Sequence, residues 1–118
     1  MEDRRQVPRW QIRKEAEVAL EGASRAVRCC IEDINLKGMC VSASERLTFG
    51  RAVKMVVNVD EDLQLEVEAG VPWVREEGGR FVHGLAFTRI KDTDRENIYQ
   101  YVDGKFPDVL RKAWFQSA

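Results

Sequence analysis

Residues 63–87 read LQLEVEAGVPWVREEGGRFVHGLAF, and this stretch decides the fold class. Leu63, Leu65, Val67 and Ala69 alternate with Gln64, Glu66 and Glu68, the period of two that marks a half-buried strand. The strand is expected to continue through Val71, Trp73 and Val74, which puts Trp73 among the core residues. Glu76-Glu77-Gly78-Gly79 has hairpin-turn chemistry, and Phe81 to Phe87 returns as another strand.

Four more strands precede this hairpin. Ala16, Val18 and Leu20 alternate with glutamates, and Glu21 to Ser24 turns the chain. Ala26 to Glu32 is a second strand and Met39 to Ser42 a short third. Asp33-Ile34-Asn35-Leu36-Lys37-Gly38 forms the turn between them, with Asp and Asn able to bond their own backbone and Gly free to take positive φ. Val53 to Val59 is the fourth. Six short strands at this spacing predict a small, mainly β, six-stranded antiparallel barrel.

After residue 90 the period changes. Thr93-Asp94-Arg95-Glu96 fits a capping box, and Ile98, Tyr101 and Val102 follow at helical spacing. Gly104 is expected to stop this C-terminal helix, and Pro107 to open a second piece with Val109, Leu110, Ala113 and Trp114 on its apolar face. Residues 1–10 read as a polar, basic arm, with Pro8 restricting Val7 to extended backbone. Residues 11–118 then form a single domain, a barrel followed by the helical segment.

Composition narrows the function classes. The chain has 118 residues, 44% hydrophobic and 33% charged, enough for one real core and unlike a disordered chain. Neither a membrane-spanning apolar run nor an apolar leader is evident, which predicts a cytoplasmic protein with no membrane insertion. Net charge is −1. Residues 1–14 hold Arg4, Arg5, Arg9, Arg13 and Lys14 against Glu2 and Asp3, so this head carries +3 and the rest −4. The acidic body argues against DNA or RNA as partner, because even single-stranded nucleic acid needs a basic groove lined with aromatics. The basic head suggests a local anion site. Cys29, Cys30 and Cys40 have neither disulfide nor zinc spacing and read as small apolar residues in a reducing compartment.

Catalytic chemistry finds no constellation. His83 is the one histidine, mid-strand, with no triad signature around it. Asp33-x-Asn35-x-Lys37-Gly38 opens like a calcium loop, but an ammonium stands at the fifth position and Ser44 where a bidentate Glu belongs. No metal site and no phosphate-cradling glycine loop is expected. Asp60, Glu61 and Asp62 read as a solvated turn. The expectation is a protein that is not an enzyme and uses no cofactor.

Two elements carry binding chemistry. Arg5-Gln6-Val7-Pro8-Arg9 places two guanidinium forks four residues apart, with Arg4 beside them. Such forks bind phosphate bidentately and also the O6/N7 edge of guanine. In the 33–38 turn a carboxylate can accept from the guanine N1–H and N2–H, Asn can donate or accept, and Gly allows close approach.

These elements together, separated by about two dozen residues and followed by further strands and a helix, resemble the PilZ domain family over nearly the whole chain. Arg4 to Trp10 resembles the family's opening, and Asp33 to Met39 resembles its Asp-x-Ser-x-x-Gly segment. Trp73-Val74-Arg75 and Gly84 to Phe87 resemble its penultimate and last strands. The resemblance implies a bacterial receptor for the second messenger cyclic di-GMP, built as a six-stranded antiparallel barrel with a C-terminal helix. It implies that Arg5 and Arg9, helped by Arg4, grip guanine edges and phosphates. Asp33 and Asn35 would bond a guanine edge, Gly38 is the turn glycine, and Trp73 corresponds to a position that packs on a base in some members. Asn35 departs from the usual Ser. A ligand-induced closure of the arm, read by a partner protein, is the mechanism so implied. The alternative is a PilZ-like adaptor that binds protein and no nucleotide, a type that usually lacks the arginine pair retained here.

Overall fold

The structure, a computed structural model, describes residues 9–23, 25–47 and 53–109. Six strands, β1 (Trp10–Leu20), β2 (Val27–Ile34), β3 (Gly38–Ala43), β4 (Val53–Asp60), β5 (Leu63–Glu77) and β6 (Arg80–Ile90), precede one helix, α1 (Asp92–Lys105). Each strand pairs antiparallel with its neighbours in the closed order β1-β2-β3-β6-β5-β4, which leaves no free sheet edge.

The first half of β5 behaves as its alternation requires. Leu63, Leu65, Val67 and Ala69 are buried, with Gln64 and Glu66 exposed. The second half does not continue the pattern. Gly70 lies opposite Ala86 and Trp73 opposite Gly84, so Val71 and Pro72 together face Leu85 alone. This is a β-bulge, and Pro72, which has no N–H to give a ladder, is well suited to it. One extra residue exchanges the two faces of everything that follows. Trp73 therefore leaves the core, where the simple alternation placed it, and is 39% exposed on the outer wall. A similar irregularity occurs in β2. Ile31 pairs with Val41 but Asp33 with Cys40, so Asp33 turns outward although Cys29 and Ile31 are buried. In β1 the register shifts between Gln11 and Lys14, around Arg13, whose φ of 48° is in the left-handed region.

The helix packs Ile98, Tyr101 and Val102 into the barrel core. Its start differs from expectation. The cap is Lys91 in extended backbone, with no side-chain cap, and Thr93 lies inside the first turn. Asp92 and Asp94 in that turn complement the positive end of the helix dipole. Asp94 is buried, and its carboxylate accepts from the Glu66 N–H at 3.4 Å, tying the helix to β5. Gly104 does not stop the helix but sits in its last turn. The Phe106 N–H closes that turn on the Val102 carbonyl at 2.7 Å, and helical backbone resumes at 107–109. Leu110, Ala113 and Trp114 fall outside the described residues.

Asp60 is more than part of a solvated turn. Its carboxylate accepts from the Tyr101 hydroxyl at 2.8 Å and from the Asp62 N–H at 2.8 Å, with Lys105 at 3.7 Å and Lys14 at 3.8 Å. The hydrogen bonds from Tyr101 and Asp62 and the two ammonium groups outweigh partial desolvation and lower its pKa. One carboxylate thus joins β1, the β4–β5 turn and α1. Cys29 is buried, and its thiol is pushed up to about 12, chiefly by desolvation, in keeping with a small core residue.

His83 is fully buried opposite Val41 and Val74. Its Nε2 accepts from the Leu47 N–H at 2.9 Å, while Nδ1 lies 3.4 Å from the Val41 carbonyl oxygen, so the neutral ring with the proton on Nδ1 fits both partners. It anchors the chain after β3 to the core. Burial is the largest influence on its pKa and lowers it. The folded state then resists a proton that the unfolded chain accepts, and this costs stability as pH falls below the ordinary value near 6.5. The imidazole NMR resonance should titrate below pH 6.5, and Tm should fall between neutral and mildly acidic pH more steeply than in His83→Gln.

Candidate functional site

The two outward turns on β5 and β2 build a cleft on the barrel wall. Gln11, Asp33, Cys40, Gly84 and Trp73 are successive cross-strand partners on β1, β2, β3, β6 and β5, so they form one row across five strands. A cleft of ≈ 560 Å³ lies over this row, rimmed by Arg9, Glu32, Arg75, Glu77 and Arg80. A larger groove of ≈ 640 Å³ runs beside Val56, Val67 and Arg89 and holds none of the candidate binding residues named from the sequence.

Arg9 reaches Asp33 with a fork. Nε donates to one carboxylate oxygen at 3.2 Å and a terminal nitrogen to the other at 3.3 Å. Arg9 is largely exposed, so the pair adds little to stability, but it fixes the orientation of both groups. Trp73 lies against Gly84. A Cβ at position 84 would overlap the indole at Cε2 and Nε1, so the ring can approach β6 this closely because that residue is glycine. Arg75 stands over the indole, its guanidinium carbon 5.0 Å from the ring centroid, and its Nε is paired with Glu77.

Behind these groups Ser42 donates to Glu32 at 2.8 Å, and Arg80 donates to the Ser42 carbonyl at 3.1 Å. Cys40 is buried in the cleft floor, where burial first and the Asp33 carboxylate next raise its thiol pKa, so it stays protonated at neutral pH. Among the described lining residues three guanidinium groups, Arg9, Arg75 and Arg80, face three carboxylates, Glu32, Asp33 and Glu77.

The cleft thus brings together Arg9, Asp33 and Trp73 from the residues singled out by sequence. Arg4 and Arg5 lie outside the described residues. Asn35 and Gly38 do not line the cleft. The Asn35 side-chain oxygen accepts from the Lys37 and Gly38 N–H groups at 2.7 and 2.9 Å, so it shapes the turn that follows Asp33. Gly38 is needed for close approach and not for positive φ, since a Cβ there would overlap the Leu85 carbonyl oxygen. Sequence reasoning missed Glu32, Arg75, Glu77 and Arg80. The signal was available for three of them: Trp73, Arg75 and Glu77 share one face by period, and Arg80 lies across the hairpin.

The PilZ domain family model matches residues 3–104. No curated protein matches the chain. Among solved structures, the Bacillus subtilis inhibitor of motility MotI/DgrA superposes with a TM-score of 0.68 at 19% identity, covering 94% of this chain and 52% of that one. The chain therefore spans about half the length of that protein. The PilZ domain of CeSA from a cellulose-synthesizing bacterium superposes with a TM-score of 0.57 at 21% identity, covering 81% of this chain and 95% of that one. Both likenesses establish the six-stranded barrel with its C-terminal helix.

Replacing Gly38 with Ala should destabilise the protein by about 2 kcal/mol, because the clash is with backbone and cannot be relieved by a rotamer change. A thermal melt should show the loss as a fall in Tm, and an unchanged Tm would mean that β3 and β6 are further apart than described.

Proposed function

The chain belongs to the PilZ domain family, and on that footing we propose that it is a receptor for cyclic di-GMP. What supports the reading is the convergence of Arg9, Asp33 and Trp73, far apart in sequence, on one cleft in the barrel wall. Each offers a contact that the ligand's chemistry can use. Arg9 presents a guanidinium to a phosphate or to the O6/N7 edge of guanine. Asp33 offers acceptor oxygens to N1–H and N2–H donors. The indole of Trp73 gives a base an aromatic surface to pack on. No step of bond making or breaking is needed.

The charge pattern assigns a task to the arm. The ligand carries two phosphates, whereas the described cleft matches three guanidinium groups with three carboxylates. A dianion gains little net attraction from such a lining. Arg4 and Arg5 supply the missing positive charge, so the arm is drawn onto the ligand when it binds. In this reading Asn35 acts through the turn that it shapes after Asp33, by accepting from the Lys37 and Gly38 N–H groups, and contributes no direct contact to the ligand. Closure of the arm creates a surface that a protein partner reads. No helix among the described residues is long and apolar enough to cross a membrane.

Titration calorimetry with cyclic di-GMP, with GTP as control, tests the reading at physiological salt. The expected result is selective binding at micromolar or lower Kd, with the stoichiometry separating one ligand per chain from a stacked pair. Arg5→Ala combined with Arg9→Ala should weaken binding by about 100-fold or more, since each bidentate contact contributes about 1–3 kcal/mol. Absence of heat and of a thermal shift would overturn the receptor reading in favour of a protein-binding adaptor.

A further inference from the structure

Arg75 and Glu77 form a pair that the proposed binding residues do not explain. They are two residues apart on the outer face of β5, past the bulge, and both line the cleft. Arg75 is held twice, by the face of Trp73 and by Glu77 through Nε. Glu77 sits opposite Arg80 in register, yet the Arg80 guanidinium donates to the Ser42 carbonyl. The other two carboxylates have different work. Asp33 is forked to Arg9, and Glu32 accepts from the Ser42 hydroxyl. Among the described residues Glu77 is therefore the carboxylate that neutralises Arg75, beside the face of Trp73.

We infer that Glu77 is an affinity-setting residue, an internal counter-ion that competes with an anionic ligand for Arg75. The inference rests on the receptor reading and deepens it. Approach of a phosphate or of an electron-rich guanine edge to Trp73 brings negative charge near Glu77, and the two compete for one guanidinium. Both side chains of the pair are more than half exposed, so the competition takes place in a well-screened setting and is modest. The carboxylate lowers affinity without blocking the cleft, which keeps the receptor responsive over a higher range of ligand concentration.

The test is a double-mutant cycle with cyclic di-GMP as the probe, using the wild-type chain, Glu77→Gln, Arg75→Ala and the double variant. Glu77→Gln should tighten binding by about fivefold, the size expected for releasing one partly exposed guanidinium from its ion pair to an anionic ligand. Arg75→Ala should weaken it. In the Arg75→Ala background the gain from Glu77→Gln should shrink to the small part due to direct repulsion of the anion, because the carboxylate then has no guanidinium to withhold. Both side chains are exposed, so Tm should stay within about 2 °C in every variant.

Wild-type binding without a gain in Glu77→Gln overturns the inference alone. A gain that persists in full without Arg75 also overturns it, since that is the signature of a general charge effect. Failure of the wild-type chain to bind cyclic di-GMP overturns the receptor reading and this inference together.

Discussion

One extra residue in β5 determines which face of the barrel carries the cleft. Val71 and Pro72 share a single partner, Leu85, and from that point the inward and outward positions of the strand exchange. Without the shift Trp73, Arg75 and Glu77 would point into a core already filled by His83 and Leu85. Val74 would stand outside. With it, an aromatic ring and a pair of charges reach the wall, and Val74 faces His83. The irregularity in β2 does the same for Asp33. The barrel supplies rigidity, and two local departures from regular pairing supply the site.

The rest of the molecule holds this wall still. Strand closure removes edges, and two polar side chains tie separate elements together. Asp60 joins Tyr101, Lys14 and Lys105, so helix, turn and first strand share an acceptor. Elsewhere His83 binds the Leu47 amide and secures the chain that leaves β3. Neither group touches the cleft, yet His83 is next to Gly84, on which Trp73 rests. The buried anchor and the floor of the candidate cleft are therefore adjacent along one strand and point to opposite sides of it.

Much of the architecture was legible in the sequence. The alternation of Leu63 to Ala69 and the helical spacing of Ile98, Tyr101 and Val102 each correspond to the element expected from them, and the hairpin turn falls where expected but is confined to Gly78-Gly79, with Glu76 and Glu77 in β5. Arg9 and Asp33 could be named as a pair of interest because their side-chain chemistry is complementary to the same ligand. What was not legible was the face of Trp73. A period of two carries parity along a strand, and a bulge resets parity without changing composition, so no count of apolar residues reveals it. Pro72 was the available hint, since a proline within a strand suggests an irregular position. The helix start was misplaced for a different reason. Thr93 and Glu96 satisfy a local pattern, but the chain enters the helix directly from β6 and Asp94 is recruited by the backbone of β5. Tertiary contact prevailed over local capping.

The bare Gly84 beneath Trp73 couples two positions eleven residues apart in sequence by direct steric contact. A side chain at 84 would lift the indole off β6 and tilt the aromatic surface, even with residue 73 untouched. Conversely, a small residue at 73 would uncover the backbone of β6 in the middle of the row that spans five strands. Substitutions at the two positions should therefore be acquired together, each tolerated mainly in the presence of the other. Replacing Trp73 by a small residue removes the steric need for glycine at 84, and a side chain at 84 is incompatible with the indole in its present place.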